Sequence, residues 1–511
     1  MVRRLDSRFW LVACIAAIIM FYNLGMIPLL DPDEPVYAET PKEMINYNEF
    51  LSPRIYGEYW YDKPPLYYWL VAAAFKIFGI SEFSARFPSA LLALAGVLIL
   101  YLWGREVFNK RAAMAGALIL ATSIEYFYLG KAAVTDITLT FCLTLALLGF
   151  ITKRYYMLYI FTGLATLTKG PVGFLFPGAI ILLYLAVTNR WRVLLEMKLA
   201  RGLPLFALVA LPWYVFMVST HGNAFIDTFL GFHNITRFTS PEHPEVVVWY
   251  YFVPVLVLGF FPWTAILVQA VWASLLKSSP EHSRPLLFMN IWAVFIFIFF
   301  SISQTKLVSY ILPMYPPLAL IAGWYIDQVW ASREHHKIWA ITFSLLAGGL
   351  IAGMYTGAKF LPPVTAGFML LAVLIGSMTL CTIVFMWRRQ TGRVFWTQVT
   401  GMVLFSLVLV SQLFPAAAPY FTAKYIAEKF TASYDGQSPV YIIKFLHPGF
   451  AYYTDFYGQE INIADLAAAV NLPGKAYFII QQADYQLLVE AERQKLKVVD
   501  QSADKMIMLK E

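Results

Sequence analysis

Apolar runs long enough to cross a lipid bilayer dominate this chain, and short polar connections separate them. A transmembrane helix needs about 20 apolar residues, and thirteen segments approach or exceed that length. They cover residues 9–30, 84–103, 112–129, 134–152, 155–168, 171–188, 201–219, 247–275, 286–303, 307–329, 337–357, 364–387 and 396–415. A further apolar segment, Leu66–Phe78, is too short to cross, so we expect it to lie in the membrane interface. The pattern predicts a polytopic α-helical membrane protein.

The composition of the chain changes after about Pro419. Residues 439–446 and 477–480 have the apolar character of buried strands, and Tyr485–Gln494 has the pattern of a helix. We therefore expect a membrane domain over residues 1–418 and a small α/β domain over residues 419–511. The second domain has no Gly-rich phosphate loop or nucleophile motif, so we expect it to cover or contact other parts rather than to catalyse.

Composition and charge exclude several classes of function. The 511 residues are 59% hydrophobic and 14% charged, which is typical of a membrane protein. The net charge of +7 comes from bases in short loops, so it indicates membrane orientation and no nucleic-acid partner. The three cysteines all lie in apolar runs, which argues against a disulfide framework. No small-x-small cleavage site follows the arginine-rich start of the chain, so the first apolar run is expected to remain as an anchor.

The positions of the bases predict the orientation in the membrane. Bases occupy alternate loops, on the side of the arginine-rich N-terminus: Arg105/Lys110/Arg111, Lys153/Arg154, Arg190/Arg192/Lys198/Arg201, Lys277/Arg284, Arg333/Lys337 and Arg388/Arg389/Arg393. These loops should be cytoplasmic. The N-terminus is then cytoplasmic, and the C-terminal domain is periplasmic or extracellular. The base-poor connections, including the large outer loops 31–83 and 220–246, carry the unusual polar residues.

The first outer loop and a later span contain carboxylates beside the membrane. Asp33 and Glu34 precede Pro35, so one of them could cap a short helix. Alternatively, Asp33 is a general base or an anchor for a substrate hydroxyl or amine. Asp136 begins an otherwise apolar span, where an acidic residue is either a helix cap, a role Thr135 could also fill, or a functional group.

Cations on the same predicted face complete the set of candidates. Lys63 and Lys169 lie in rigid Pro-containing turns, where they either reach toward lipid headgroups or bind the phosphate of a membrane-borne substrate. His233 is a possible metal ligand or a structural histidine, and Arg237 is suited to bidentate phosphate contact. The segment from Lys306 to Pro313 joins two spans as a packing turn or as a wall of the site.

Taken in order, these motifs resemble those of one family. They are Asp33-Glu, Tyr61-Asp-Lys-Pro-Pro65, Asp136 at the start of a helix, Thr168-Lys-Gly-Pro171, Asn234-Ile-Thr-Arg-Phe238 followed by His243-Pro, and Lys306…Tyr310…Pro313. The chain resembles the polyprenyl-phosphate-dependent glycosyltransferases of the GT-C architecture, particularly the aminoarabinose (4-amino-4-deoxy-L-arabinose) lipid A transferases. The similarity covers about residues 20–330, and the C-terminal domain more loosely. It implies a GT-C fold and a multi-pass protein of the bacterial inner membrane.

The resemblance also implies an activity. The family transfers a pentose or hexose, with inversion, from an undecaprenyl-phosphate donor to a lipid A-like lipid, a glycan or a protein outside the membrane. Asp33 would be the catalytic base or orient the acceptor, and Asp136 would be a second essential acid. The residues implied to bind the lipid phosphate are Lys63, Arg237 and Lys169, and those implied as other substrate contacts are Glu34, Tyr37, Lys306 and Tyr310.

Cofactor and partner expectations follow from the same resemblance. A divalent metal (zinc, magnesium or manganese) is implied near Asp62 and His233, and Asp62 stands where the family usually has Glu. Val36 replaces an arginine of the family pattern, so one phosphate or sugar contact is absent and the sugar and acceptor stay open. The lipid-phosphate donor is already activated, and no nucleotide-binding signature is present, so no nucleotide is expected. We expect a monomer.

A transporter, such as a flippase for the lipid-linked sugar, is the alternative class. Membrane carboxylates and lysines would then form a relay near the bilayer midplane. Here the charged residues cluster on one predicted face and no inverted repeat is evident, which favours the enzyme. Cations near a phosphate leaving group would stabilise its developing charge, in agreement with the positions of Lys63 and Arg237.

Overall fold

Helices make up most of the chain, as the apolar runs predict. The computed structural model describes residues 5–236, 239–240, 248–332 and 337–511. The longer helices of the first 409 residues are Ser7–Phe21, Asp33–Asn46, Leu66–Phe78, Glu82–Val107, Lys110–Thr122, Ile124–Gly130, Asp136–Ile151, Tyr155–Lys169, Val172–Thr188, Leu199–Phe225, Phe252–Gly259, Thr264–Leu276, Pro280–Ile302, Tyr315–Ala331, Lys337–Phe360, Thr365–Trp387 and Thr391–Val408. A π-helix, Ile226–Thr236, and a 3₁₀-helix, Val308–Met314, join some of them.

The chain divides into two compact units. The first unit comprises Met1–Tyr22, Tyr61–Tyr67 and Pro88–Leu409, and the second comprises Asn23–Trp60, Tyr68–Phe87 and Val410–Glu511. The first outer loop predicted from the sequence therefore contributes to both units.

Several helices of the described ranges are long and apolar enough to span a membrane. Six meet both criteria: Glu82–Val107, Leu199–Thr236, Pro280–Ile302, Lys337–Phe360, Pro362–Trp387 and Thr391–Phe421. The number rises to eight when each of two bent helix pairs is taken as one span. Apolar helices such as Asp136–Ile151 and Val172–Thr188 are shorter. The count of thirteen spans stays a prediction.

Two of the predicted spans are broken. The span predicted over 112–129 bends by 65° between Thr122 and Ile124, where the hydroxyls of Thr122 and Ser123 donate to carbonyls of the preceding turn. The span predicted over 247–275 bends by 105° between Gly259 and Thr264, because Pro262 lacks the N–H that a continuous helix needs. Each of these two predicted spans is therefore a bent pair of helices.

The first unit packs two helices backbone to backbone. Lys110–Thr122 lies against Tyr315–Ala331, and a methyl group on Gly323 would collide with the main chain of Gly116. Small residues allow this approach, which is the usual way in which membrane helices associate without a hydrophobic driving force. Tyr315 is the first residue of the second helix.

The second unit contains a five-stranded sheet near the end of the chain. Its strands, in spatial order, are Gln459–Ile461, Val440–Ile443, Ala476–Gln481, Lys505–Lys510 and Leu496–Ser502. The first three are parallel and the last two pair antiparallel. The α-helices of this unit that follow residue 410 are Phe414–Phe421, Lys424–Ser433, His447–Thr454, Leu466–Asn471, Gln482–Leu487 and Glu490–Arg493.

The α/β class predicted for this region is confirmed by these elements, with differences in detail. The predicted strands at 439–446 and 477–480 correspond to Val440–Ile443 and Ala476–Gln481. The single helix predicted over Tyr485–Gln494 is wrong, because extended backbone at Leu488 and Val489 separates two short helices. Leu488 is buried while Val489 is exposed. These two apolar residues therefore connect the helices and do not belong to one apolar helix face.

Candidate active site

An acidic helix of the second unit begins at one of the candidate residues. Asp33 is the first residue of helix Asp33–Asn46, and Pro32 occupies the cap position without a side-chain hydrogen bond. The Asp33 side chain is exposed, whereas Glu34 beside it is buried. Tyr37, one turn further on, places its ring 6.1 Å from that of Tyr68. The helix therefore presents Asp33 to its surroundings and turns Glu34 inward.

Glu34 forms a buried bidentate ion pair with Arg86. Arg86 Nε donates to Glu34 Oε1 at 2.8 Å, and Nη2 donates to Oε2 at 2.6 Å. The same guanidinium donates to the carbonyls of Ile27 and Pro28, and the Leu30 amide donates to the Glu34 carboxylate. This geometry anchors the start of the helix, because bidentate pairs are strong and directional. The predicted role of Glu34 as a substrate contact stays a prediction.

The first unit brings Asp62, Lys63 and His233 together. Lys63 Nζ lies 2.6 Å from Asp62 Oδ1, and His233 Nδ1 lies 2.7 Å from the same oxygen. The side chains of the three residues are only 8–13% exposed. Asp62 thus holds a lysine and a histidine that are 170 residues apart in the chain.

A second group in the same unit joins three motifs that the sequence keeps apart. Asp136 begins helix Asp136–Ile151, and its carboxylate accepts from Lys169 Nζ at 2.7 Å. The Lys169 ammonium also lies over the Tyr310 ring, 4.9 Å from the ring centroid. Thr135 occupies the cap position of this helix without a side-chain hydrogen bond. The Asp136 carboxylate binds the lysine. A cation between a carboxylate and an aromatic face is held in one orientation.

The two groups adjoin through the turn after Lys169. Gly170 has a φ of 71°, in the left-handed region that glycine adopts without strain. A Cβ at Gly170 would lie 2.8 Å from the Phe229 ring and 3.6 Å from Asn234 Oδ1. Asn234 follows His233 in the π-helix Ile226–Thr236. The glycine therefore lets the lysine turn pack closely against the segment that carries the histidine.

Lys306 is buried at the C-terminal end of helix Pro280–Ile302. Its ammonium donates to the carbonyls of Ser301 and Ser303, both at 2.8 Å, and it lies 5.7 Å from the centre of the Phe252 ring. These carbonyls terminate helix Pro280–Ile302, where a cation is favoured by the helix dipole. Burial lowers the pKa of Lys306. The geometry gives Lys306 a capping role, and its predicted substrate contact stays a prediction.

Some predictions fall on residues that the structure does not describe, and one concerns a metal. Arg237 and His243 lie outside the described residues. No group of three or more His, Cys, Asp or Glu side chains able to hold a metal occurs within the described ranges. Asp62 and His233 supply two ligands, whereas zinc sites have three or four protein ligands, and the Lys63 ammonium occupies the same Asp62 oxygen. These donors do not fit a zinc ion.

Two contributors were missed from the sequence. His221 Nδ1 lies 3.1 Å from the Tyr61 hydroxyl, so Tyr61 and Asp62 are each in contact with a histidine from the region 221–233. Arg86 was overlooked as a partner of Glu34. The signal for Arg86 was present, because an arginine near the start of a long apolar helix is costly unless it is paired.

Comparisons with known proteins agree with this fold. The family model described as "Dolichyl-phosphate-mannose-protein mannosyltransferase" matches residues 62–216. An uncharacterized protein of Aquifex aeolicus is 31% identical over 68% of this chain and 78% of its own length. The "Undecaprenyl phosphate-alpha-4-amino-4-deoxy-L-arabinose arabinosyl transferase" of Edwardsiella ictaluri is 28% identical over 73% of this chain and 69% of the relative. The transferase of the same name from Pectobacterium carotovorum is 30% identical, and the chain spans only 60% of that relative.

Solved structures show the same architecture. ArnT from Cupriavidus metallidurans, bound to undecaprenyl phosphate, superposes with a TM-score of 0.78 at 22% identity, over 99% of this chain and 98% of ArnT. The archaeal oligosaccharyltransferase AglB from Archaeoglobus fulgidus gives a TM-score of 0.57 at 13% identity, over 98% of this chain and 74% of AglB. At these identities the structures establish the fold, while the sequence relatives establish kinship. The chain is therefore related in sequence to the aminoarabinose transferases named above and has the fold of ArnT, the GT-C fold.

Proposed function

We propose that this protein is an inverting glycosyltransferase that moves a sugar from an undecaprenyl-phosphate donor to an acceptor of the bacterial envelope. Family membership supports the reaction class, and the names of the aminoarabinose transferases support the donor lipid and a pentose. The ArnT structure with undecaprenyl phosphate supports the same lipid. The acceptor is a lipid A-like lipid, a glycan or a protein, and Val36 in place of the family's arginine leaves a hexose open.

The observation that carries the proposal is the pairing of two distant lysines with aspartates in adjoining groups. Lys63 and Lys169 each lie within 2.7 Å of a carboxylate oxygen. Their side chains are 13% and 16% exposed, so both are mostly removed from solvent yet still reachable. An ammonium has three donors, and each lysine can therefore contact a phosphate while it keeps its aspartate. Two oriented cations in a poorly solvated site stabilise a phosphate leaving group strongly.

The reaction assigns one role to each group. The acceptor oxygen bonds to the sugar C1 from the face opposite the phosphate, and the C1–O bond breaks with its electrons leaving on undecaprenyl phosphate. Lys63, Lys169 and Arg237 contact that phosphate. Asp33 takes the proton of a hydroxyl acceptor or orients a phosphate acceptor, and Asp136 keeps Lys169 directed at the donor.

The remaining substrate contacts and the topology belong to the same proposal. The proposal includes the expectation that Glu34, Tyr37, Lys306 and Tyr310 contact the substrate. Residues 1–418 form the catalytic membrane domain with thirteen spans, and residues 419–511 form an extracytoplasmic domain. The protein is a monomer in the inner membrane with a cytoplasmic N-terminus. The alternation of basic and base-poor loops supports this orientation.

A transfer assay separates the enzyme from the flippase. The purified full-length protein is reconstituted into liposomes with radiolabelled undecaprenyl-phosphate sugar and extracted envelope lipids and glycans. We expect the label on a new product, and less of it with Lys169→Ala. Lys277→Ala, an exposed lysine of a predicted cytoplasmic loop, is the matched control and should leave the rate unchanged.

Translocation of the donor without any product would refute the enzyme and favour the flippase. Mass spectrometry of envelope lipids and glycans from cells with and without the gene then names the sugar and the acceptor, because the lost modification identifies both.

A further inference from the structure

A buried carboxyl group of the first unit has no part in the proposed reaction. Glu125 is 3% exposed, and the Tyr315 hydroxyl donates a hydrogen bond to its Oε2. Its other oxygen, Oε1, is buried and makes no hydrogen bond to any of the residues that the structure describes. Burying a carboxyl among apolar side chains is costly, so this group calls for a structural or functional reason.

Three interruptions of the helices meet at this carboxyl. Glu125 is the second residue of helix Ile124–Gly130, directly after the 65° bend. Gly259 ends the helix before the 105° bend, and any side chain there would collide with both Glu125 and Tyr315. Tyr315 begins the helix that follows the 3₁₀-helix Val308–Met314. The hydrogen bond between Glu125 and Tyr315 thus ties together elements that the main chain leaves separate.

A second contact secures the two bends to each other. Trp263 Nε1 donates to Thr122 Oγ1 at 2.9 Å, and each of these residues lies beside one of the bends. Trp263 is also fully buried. The two bends are therefore held together by this hydrogen bond, close to Tyr315.

The chain around Tyr315 needs such an anchor because its main chain is poor in donors. Pro313, Pro316 and Pro317 have no N–H. Pro313 removes a donor inside the 3₁₀-helix, and Pro316 and Pro317 lie in the first turn of the next helix, where N–H groups have no intrahelical partner. The side-chain bond at Tyr315 adds a restraint between these two elements. The Tyr315 ring also lies 5.3 Å from that of Phe260, so its hydroxyl is aimed by packing.

The anchored junction carries a residue of the proposed site. Tyr310 lies five residues before Tyr315, within Val308–Met314, and its ring faces the Lys169 ammonium that pairs with Asp136. We infer that Glu125 and Tyr315 are positioning residues: their hydrogen bond holds the 3₁₀-helix so that Tyr310 keeps Lys169 oriented toward the donor phosphate. The inference rests on the proposed function for its catalytic consequence, but the restraint on the segment does not.

The test combines kinetics with hydrogen–deuterium exchange on the full-length protein. Tyr315→Phe removes the hydroxyl and keeps the ring, and we expect kcat/KM for the donor to fall about 10- to 100-fold, the effect of a displacement near 1 Å. Amides of residues 306–314 should exchange faster. Glu125→Gln keeps an acceptor oxygen for Tyr315 and should stay within a few-fold of the parent, whereas Glu125→Leu should behave like Tyr315→Phe.

Tyr101→Phe is the matched control, since Tyr101 is a fully buried tyrosine whose hydroxyl donates to Asp6 at 2.6 Å. It should alter stability without changing turnover or the exchange of 306–314. Unchanged exchange of 306–314 in Tyr315→Phe would overturn the inference whatever the activity. The inference would also be overturned if the activity of Tyr315→Phe were no lower than that of Tyr101→Phe. If residues 306–314 exchange faster in Tyr315→Phe but the parent protein transfers no sugar, the proposed function is refuted and the positioning role of the hydrogen bond is not.

Discussion

Glu39 makes the stability of the second unit depend on pH, and the size of the effect follows from its surroundings. It lies in helix Asp33–Asn46 and is fully buried. Its nearest cation, Lys42, is 3.4 Å away and is shared with Asp455 at 2.6 Å. Burial raises the pKa of Glu39 to about 7, and the attraction of Lys42 only partly opposes that rise.

The sign follows from which state binds the proton. The unfolded carboxyl releases its proton near pH 4.5, whereas the folded one retains it to about pH 7, so the folded state binds more protons between these values. Stability must then fall as the pH rises through this window and become level above it. A shift of about 2.5 pKa units corresponds to about 3 kcal/mol at 1.36 kcal/mol per unit.

Glu39→Gln is neutral at every pH and isolates this contribution. We expect the variant to match the parent near pH 4 and to exceed its stability by up to about 3 kcal/mol at pH 8. The measurement is thermal or urea unfolding of the detergent-solubilised protein between pH 4 and 8.5, with hydrogen–deuterium exchange of helix Asp33–Asn46 as the local probe.

Glu49→Gln serves as the control for removal of a negative charge in the same region, because Glu49 is one-third exposed and pairs with Arg54. Equal pH slopes for the parent and Glu39→Gln would refute the reasoning, as would a Gln variant that is more stable only below pH 6.

The remaining predictions concern the site and the topology. Asp33→Asn should lower the transfer rate by at least about 10²-fold with little change in melting temperature, because Asn keeps the shape and loses the base; an active Asn variant would move the base elsewhere. Lys63→Ala and Arg237→Ala should each weaken donor use about 10- to 150-fold, the loss of one charge-assisted hydrogen bond of about 1.5–3 kcal/mol, and parental kinetics in both would put the phosphate elsewhere. Cysteines introduced at Gln437 and Ser332 should be labelled from opposite sides of the membrane, and labelling from one side would contradict the orientation.

The sequence was informative where a residue type has few uses in a membrane. Asp136 and Lys169 were singled out as charged residues beside apolar runs and Tyr310 through the family resemblance, and the structure joins all three. Their spacing along the chain could not have shown this, because the contact depends on how three helix ends pack. Asp62 and His233 also lie in contact, and the metal that the resemblance implies beside them stays a prediction.

Hydrophobicity was a weaker guide to helix continuity and to partners. An apolar run does not reveal a bend, since the bends at Ser123 and Pro262 depend on local hydrogen bonds and a missing N–H rather than on polarity. The strands Leu496–Ser502 and Lys505–Lys510 were not predicted. Leu496–Ser502 is mostly polar and exposed, whereas Lys505–Lys510 has only four consecutive apolar residues, bounded by two lysines. Lys505–Lys510 pairs with Ala476–Gln481, and Leu496–Ser502 pairs with Lys505–Lys510, so the sheet stabilises strands that the local pattern does not reveal.

The long-range contacts of helix Asp33–Asn46 have a consequence for biosynthesis. Lys42 donates to the carbonyl of Tyr452 at 2.8 Å, 410 residues later in the chain, and the Asp31 amide donates to the carbonyl of Phe421. At roughly 5–20 residues per second, a ribosome needs about 20–80 s to supply those partners. Throughout that interval the helix must keep its charged side chains hydrated or bind a chaperone. A nascent chain stalled before residue 450 should therefore be open to proteases at this helix even when its apolar segments are already inserted.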